Sequence, residues 1–282
     1  MPDLAALIPA LGPATWALVC AGALVVGLSK TAMPGGGTIA VGLFALALPA
    51  KESTAALLLL LMVGDATALW VYRREPDVRT LVRLIPSVLI GVVLGTIFFA
   101  TVGGDTVRTT IGVILLALIA VTVWRRRAAR RKELRAASAD AGADPAAAGS
   151  TTGAGGSSAD ATPAAPALAR AGYGVLGGFT TMVANAGGPV MSMYFYAMRM
   201  PVLTFLGTSA WFFAVVNVIK LPFSAGLGLI TRDTLVMDLM LVPLVLLGAY
   251  IGARVARRIP QGVFEKAVLV LTVVSALALL VL

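Results

Sequence analysis

The sequence predicts an all-α polytopic membrane protein built from two inverted repeats of about five hydrophobic segments each. Three observations predict this class. The 282 residues are 59% hydrophobic and 12% charged, which is too little polar surface for a water-soluble domain of that length. Apolar runs near the ~20 residues that span a ~30 Å hydrocarbon core recur along the chain. The two halves also share glycine and proline positions in the same order.

Ten apolar segments are predicted, five in each half. In the first half, residues 1–124, they lie at 14–33, 35–49, 53–72, 80–101 and 105–124. In the second half, residues 168–282, they lie at 168–184, 187–200, 202–223, 234–256 and 262–282. The second segment of each half would extend only about 20 Å as a helix, at ~1.5 Å per residue. We therefore expect these two short segments to be broken or re-entrant helices.

Residues 125–167 separate the halves and differ from them in composition. A basic run from Arg125 to Arg135 leads into a stretch rich in Ala, Gly, Ser and Pro with almost no large apolar residue. Such a segment cannot bury enough surface to fold, so we expect a flexible linker. Because no aromatic residues are interleaved with the arginines, nucleic-acid binding is not expected.

An internal duplication relates the two halves. At an offset of 152 positions, Gly36 falls on Gly188 and Asp65 falls on Asn217. Both halves then carry the spacing Pro-x4-Gly-x3-Gly, at Pro86, Gly91, Gly95 and at Pro243, Gly248, Gly252. We expect these motif glycines to allow tight helix packing. Two repeats with an odd number of crossings must lie in opposite orientations, which is the inverted-repeat plan of many secondary transporters.

Lysine and arginine are distributed unevenly between the predicted loops. With the linker on the inside, 17 Lys and Arg share its side and four lie on the other face, while Lys30 is set aside as intramembrane. Cytoplasmic loops hold the excess of basic residues in membrane proteins. We therefore expect a multi-pass protein of the cell (inner or plasma) membrane with a cytoplasmic linker, and the net charge of +9 follows from this bias.

The composition excludes several kinds of chemistry. The chain has no histidine and one cysteine, Cys20, so Ser-His or Cys-His catalysis, a disulfide framework and a thiolate metal cage are absent. No nucleotide-binding P-loop is present. We expect no enzymatic activity, no cofactor and no metal. The expected partners are the lipid bilayer and a small anionic solute, and the oligomeric state stays open.

Two glycine-rich breaks, at residues 29–38 and 180–189, are the strongest candidates for a substrate site. Each precedes a short segment whose helix N-terminus would carry unpaired N–H groups and about half a positive charge, which favours an anion. Alternatively, the glycines only allow tight packing or a hairpin. The candidate substrate-binding residues are Lys30, Gly35, Gly36, Gly37, Asn185, Gly187, Gly188, Thr208 and Asn217.

Ionisable residues inside the predicted segments leave alternatives open. Lys30 either supplies positive charge to an anion or extends to the lipid headgroups. Asp65 either carries a coupling proton, neutralises Lys30 or forms a purely structural pair. Lys220 either attracts anions at the outer mouth or is interfacial. The neutral polar residues Asn185, Thr208, Ser209 and Asn217 either hydrogen-bond substrate oxygens or join helices.

Several motifs in fixed order resemble the TauE/SafE family of membrane transporters, often described as sulfite or organosulfonate exporters. The motifs are the doubled glycine break (35–37 and 187–189), Leu48-Pro49, Met200-Pro201, Gly207-Thr208-Ser209, the two Pro-x4-Gly-x3-Gly spacings and the run from Arg254 to Pro260. There are two departures. The first half has Ala55-Ala56-Leu57 where the family's Gly-Thr-Ser would fall, and Pro189 replaces a third glycine.

The resemblance implies export of a small oxyanion or sulfur-containing acid. We accordingly expect a secondary transporter that exports sulfite, an organosulfonate or a related sulfur-containing or carboxylic acid. An anion channel and a non-transporting membrane scaffold or receptor are the alternatives. A channel would pass current without movement of a coupling ion, and a scaffold would tolerate loss of Lys30 and of the first glycine break.

Overall fold

The structure is a computed structural model, and it describes residues 11–32, 37–72, 76–141, 167–198 and 200–255. Every regular element in this part of the chain is an α-helix, so the predicted all-helical class is confirmed. Six of the helices are long and apolar enough to cross a membrane. Their apolar spans are Pro13–Thr31, Ala50–Trp70, Val78–Thr101, Gly104–Trp124, Thr204–Gly226 and Arg232–Arg254.

The helices are numbered in chain order. They are α1 (Pro13–Ala32), α2 (Gly37–Ala47), α3 (Ala50–Tyr72), α4 (Val78–Thr101), α5 (Gly104–Ala141), α6 (Ala167–Ala184), α7 (Gly187–Ala197), α8 (Val202–Gly226) and α9 (Arg232–Val255). Each corresponds to one predicted apolar segment, and the tenth predicted segment, 262–282, lies outside the described residues. Helices suit the bilayer because they bond every interior backbone N–H and C=O within the segment.

Local side chains set the start of several helices. The Asp77 carboxylate accepts a hydrogen bond from the Thr80 N–H at 3.0 Å and caps α4. The Thr231 hydroxyl accepts one from the Thr234 N–H at 3.2 Å ahead of α9. Helix α1 begins at Pro13, where the missing N–H of proline costs nothing and its fixed φ suits the first turn.

Helices α2 and α7 are short, with 11 residues each. At ~1.5 Å per residue they extend about 16 Å, roughly half of a ~30 Å hydrocarbon core. Both end earlier than the sequence predicts. Pro49 disfavours the helical conformation at Leu48, which directly follows the last residue of α2. Pro201 does the same at Met200, but α7 already ends at Ala197, so this proline does not explain its end. Neither short helix is long enough to cross a bilayer alone.

The structure corrects part of the predicted flexible linker at 125–167. Helix α5 does not end at Trp124 but continues through the basic run to Ala141. Residues 125–141 are dominated by Arg, Ala, Lys, Glu and Leu, which are strong helix formers. Extending a helix that the membrane segment has already nucleated also costs little. The remainder of the predicted linker, 142–166, lies outside the described residues.

Long helices from the two halves pack in two equivalent pairs, α1 with α9 and α4 with α6. A Cβ added to Gly91 would lie 2.1 Å from the Val175 carbonyl oxygen, and one added to Gly248 would lie 2.2 Å from that of Leu24. Because both distances are far shorter than van der Waals contact, a side chain at either position would force the helices apart. The prediction that these motif glycines mediate tight helix packing is confirmed.

The order of the contacts gives the helix directions within these pairs. Gly27 of α1 lies against Val245 and Ala249 of α9, and Thr31, farther along α1, lies against Gly252, farther along α9. The two helices therefore run parallel. The order of contacts between α4 and α6 gives the same result.

Helices α3 and α8 pack against each other and run antiparallel. Asp65 of α3 bonds to Asn217 of α8. Just beyond the end of α3, the Asp77 N–H donates to the Thr208 hydroxyl, nearer the start of α8. The third helix of the predicted first half thus meets the third helix of the predicted second half in the opposite direction.

Large apolar side chains cover the outer surfaces of α4 and α9. Ile90, Leu94 and Ile97 on α4 are exposed, as are Leu239 and Leu247 on α9. A contiguous apolar surface of this kind is unfavourable against water. It is the surface expected of helices that face lipid, and with the six spanning helices it supports a multi-pass membrane protein.

Candidate functional site

A cavity of about 80 Å³ lies between the first turns of α2 and α7, the end of α1, and the central parts of α3 and α8. Its volume exceeds the ~15 Å³ that one water molecule requires, so a solute of a few heavy atoms fits. Apolar side chains, including Leu61 and Phe213, complete its wall. Six predicted site residues line it: Lys30, Gly37, Asp65, Asn185, Gly188 and Asn217.

Lys30 and Asp65 form an ion pair across the cavity wall. The carboxylate is 2% exposed and the lysine side chain 15%. The ammonium also lies 5.0 Å from the centre of the Phe213 ring, within range of a cation–π contact. Of the alternatives for Lys30, the structure shows neither a lone charge nor a chain extended to the headgroups, but neutralisation by Asp65.

Asn217 satisfies the second oxygen of the same carboxylate. Its side-chain amide donates to Asp65 Oδ2 at 2.6 Å, and Asn217 is 1% exposed. The two residues are separated by 152 positions, which is the offset between the two halves found in the sequence. The two residues that the predicted repeat aligns with each other are therefore in contact.

Asn185 lies at the turn between α6 and α7 and has a positive φ of 50°. Its N–H donates to the Thr181 carbonyl, and the N–H of Ala186 donates to that of Thr180. The first of these bonds, between residues four apart, is that of a left-handed helix C-cap, and asparagine is one of the few residues other than glycine that adopt the left-handed conformation readily. The turn brings the Asn185 side chain to the cavity wall.

Lys220 is fully buried behind Asn185. Its ammonium donates to the Asn185 side-chain oxygen and lies 3.5 Å from the Thr181 hydroxyl. The Asn185 amide in turn donates to the Thr54 carbonyl at 2.8 Å. The expectation that Lys220 lies at an outer mouth or at the interface is wrong, because the packing of α8 against α3 and α7 encloses the whole side chain.

A spacing in the sequence could have identified the Lys220 contact. Lys220 and Asn185 are 35 positions apart, and so are Lys30 and Asp65. Each half therefore joins the end of its first helix to the middle of its third through a lysine. The roles are exchanged, because the lysine is on the first helix in one half and on the third in the other.

The hydroxyl of Ser209 faces the cavity without a protein partner. The residue is 5% exposed, lines the cavity, and its oxygen makes no hydrogen bond within the described part of the chain. Most buried serines in a helix bond back to a carbonyl one turn earlier. An unsatisfied buried hydroxyl is uncommon and costs free energy unless water or a solute meets it.

The remaining predicted site residues do not reach the cavity or are not described. The Thr208 hydroxyl accepts a bond from the Asp77 N–H at 2.9 Å, so it holds the α3–α4 connection instead. Gly187 packs against α6, where a Cβ would lie 2.9 Å from that of Thr181. Gly35 and Gly36 lie outside the described residues.

The first turns of both short helices contribute to the cavity wall through Gly37 and Gly188. A helix N-terminus presents N–H groups without intrahelical partners and a partial positive charge. Together with the Lys30 ammonium and the hydroxyl and amide groups, these turns make the wall rich in hydrogen-bond donors. Asp65, the one carboxylate among the described lining residues, is already engaged at both oxygens.

Comparison with known proteins gives one match. Residues 19–279 match the model of the family described as sulfite exporter TauE/SafE. No curated protein and no solved structure matches the chain. The family match covers nearly the whole chain, including all nine described helices apart from the first turns of α1. The chain therefore belongs to the sulfite exporter TauE/SafE family of membrane transporters.

Proposed function

We propose that the chain is a secondary transporter that exports a small anion, such as sulfite, an organosulfonate or a related sulfur-containing or carboxylic acid. The observation that carries the proposal is the unpartnered Ser209 hydroxyl in a cavity that also contains the Lys30 ammonium. A buried donor without a protein partner is suited to a solute that arrives and leaves. The description of the family supports a sulfur-containing cargo.

In this proposal the bound anion accepts hydrogen bonds from Ser209 and from the first turns of α2 and α7. Lys30 adds positive charge, which Asp65 partly offsets. The offset is useful in a transporter, because a site that holds its solute too tightly would not release it. The glycines at 37 and 188 leave room for the solute to approach the backbone.

Alternating access would follow from two inverted halves that rock against each other about the cavity. Support comes from the reciprocal pairs α1 with α9 and α4 with α6, and from the antiparallel α3 and α8. A contact between Asp65 and its own counterpart Asn217 is expected only near an axis that relates the halves. The short helices α2 and α7 would enter the membrane from opposite faces without crossing it.

We propose Asp65 as the group that couples transport to protons. Its two oxygens bond to Lys30 and to Asn217, which belong to different halves. Protonation of the carboxylate would weaken the ion pair and so change the contact between the halves. The inner or plasma membrane is the proposed location, with the linker on the cytoplasmic side.

The test is a flux assay with the purified chain in proteoliposomes. Efflux of sulfite, methanesulfonate and small carboxylates is measured with and without an imposed pH or voltage gradient. We expect flux of at least one of these anions to depend on the gradient, and Lys30→Met to abolish that flux. Absence of flux for the whole panel would overturn the proposal.

Lys51→Met is the matched control for the loss of a lysine. The Lys51 ammonium donates to the Phe99 carbonyl at 2.8 Å and does not line the cavity. Flux should therefore continue in this variant. Anion current that persists without any gradient-coupled ion, and that Asp65→Asn leaves unchanged, would identify a channel instead.

A further inference from the structure

Two lysines flank the cavity, and their charges are compensated differently. Lys30 is paired with the Asp65 carboxylate. Lys220 is 0% exposed and meets the amide oxygen of Asn185 and the hydroxyl of Thr181. Both of those partners are neutral, and no salt bridge to Lys220 exists within the described part of the chain. The charge of Lys220 is therefore not cancelled locally.

Among the described residues around the cavity, the formal charges leave one positive charge uncompensated. When both lysines are protonated, Lys30 and Lys220 contribute two positive charges, and the Asp65 carboxylate contributes one negative charge. Asp238, a further buried acid on α9, does not line the cavity. A buried charge without a counter-charge is costly. A single negative charge in the cavity would balance the cluster, whereas a dianion would leave an excess negative charge with a similar cost.

We propose that Lys220 makes the cavity selective for anions with one negative charge over dianions. The inference rests on the proposed function and names the charge class of the solute. Lys220 does not line the cavity, so it acts through the Asn185 side chain that separates it from the solute. The interior screens charges far less than water, so a lysine one side chain away still contributes to anion affinity.

Methanesulfonate and sulfate are suitable probes, because both are small and tetrahedral and they differ by one charge. Their dissociation constants are measured by titration calorimetry on the full chain in detergent, at a fixed ionic strength. We expect the wild-type chain to bind methanesulfonate at least about tenfold more tightly than sulfate. Equal affinities, or tighter binding of sulfate, would overturn the inference.

Two variants lower the net charge of the cluster by one, by different routes. Lys220→Met deletes the cation, and Asn185→Asp places a carboxylate beside it at nearly unchanged volume. Both should weaken methanesulfonate binding by about tenfold or more. Agreement between them attributes the effect to charge, because their changes in shape differ. If Lys220→Met does not fold, Asn185→Asp still tests the charge count.

Asp65→Asn changes the charge in the opposite direction, leaving two uncompensated positive charges. We expect the affinity ratio to move toward sulfate by about tenfold in this variant. Lys51→Met, outside the cavity, should leave the ratio unchanged. A ratio that stays constant across all these variants while methanesulfonate still binds would overturn the inference and leave the proposed function standing. Absence of binding and of flux for every anion would overturn both.

Discussion

Removing Lys30 alone should destabilise the chain more than removing both members of its ion pair. Lys30→Met leaves the Asp65 carboxylate, 2% exposed, without its cation. Loss of one partner of a buried ion pair typically costs about 3–5 kcal/mol. Because Asp65 keeps its hydrogen bond from Asn217 at 2.6 Å, we expect the lower end of this range, about 3 kcal/mol.

The double variant Lys30→Met/Asp65→Asn should cost only about 1 kcal/mol, since no unpaired charge remains in the interior. The asparagine can still bond to Asn217, whose amide already faces this position. The stability losses of the single variants Lys30→Met and Asp65→Asn should therefore add up to at least about 1.5 kcal/mol more than the loss in the double variant.

The assay is reversible unfolding of the detergent-solubilised chain by denaturant, followed through tryptophan fluorescence. The dependence of the unfolding free energy on denaturant concentration must have the same slope in all variants. Lys51→Met is the control, because within the described residues this lysine bonds to a carbonyl and to no carboxylate, and its loss should cost no more than about 1 kcal/mol. Additive effects of Lys30→Met and Asp65→Asn would refute the reasoning, since they would mean that the two side chains do not depend on each other.

Two further predictions concern glycine packing and the serine hydroxyl. Gly91→Ala should destabilise the chain by about 1–3 kcal/mol, because its Cβ would lie 2.1 Å from the Val175 carbonyl oxygen. The control, Gly172→Ala, has open space around it and should leave the free energy of unfolding unchanged in the same assay. Equal losses of stability in the two variants would contradict the α4–α6 packing. Ser209→Ala should weaken anion binding about tenfold in calorimetry. Thr208→Val should instead lower the free energy of unfolding with little change in anion affinity. Loss of affinity in Thr208→Val but not in Ser209→Ala would exclude Ser209 from the site.

Predictions from the sequence are most successful where a single helix decides the outcome. Apolar runs of membrane-spanning length predict the long helices, and the six spans agree with them. The motif glycines at 91 and 248 are predicted to pack helices, and they do so. The helical start of the predicted linker is the exception, because a composition poor in large apolar residues can still extend an existing helix to Ala141.

Predictions of the site are less complete. Six of the candidate residues line one cavity, because glycine breaks and polar residues inside apolar segments both indicate places that are unlike the ordinary lipid-facing or packed parts of a membrane helix. Thr208 does not line it, although it is adjacent in the chain to Ser209, which does. Neighbouring positions on a helix face different directions, and the sequence does not specify which face of α8 meets α3.

The sequence by itself determined two properties of this protein: its described part is all-helical, and six of its helices are long and apolar enough to cross a membrane. Hydropathy and spacing suffice for these properties because they depend on each segment and the bilayer. Only the tertiary structure decided which charges meet. The pairing of Lys30 with Asp65 and the enclosure of Lys220 behind Asn185 depend on how separate helices pack. The shared spacing of 35 positions becomes informative only once one of these two contacts is known.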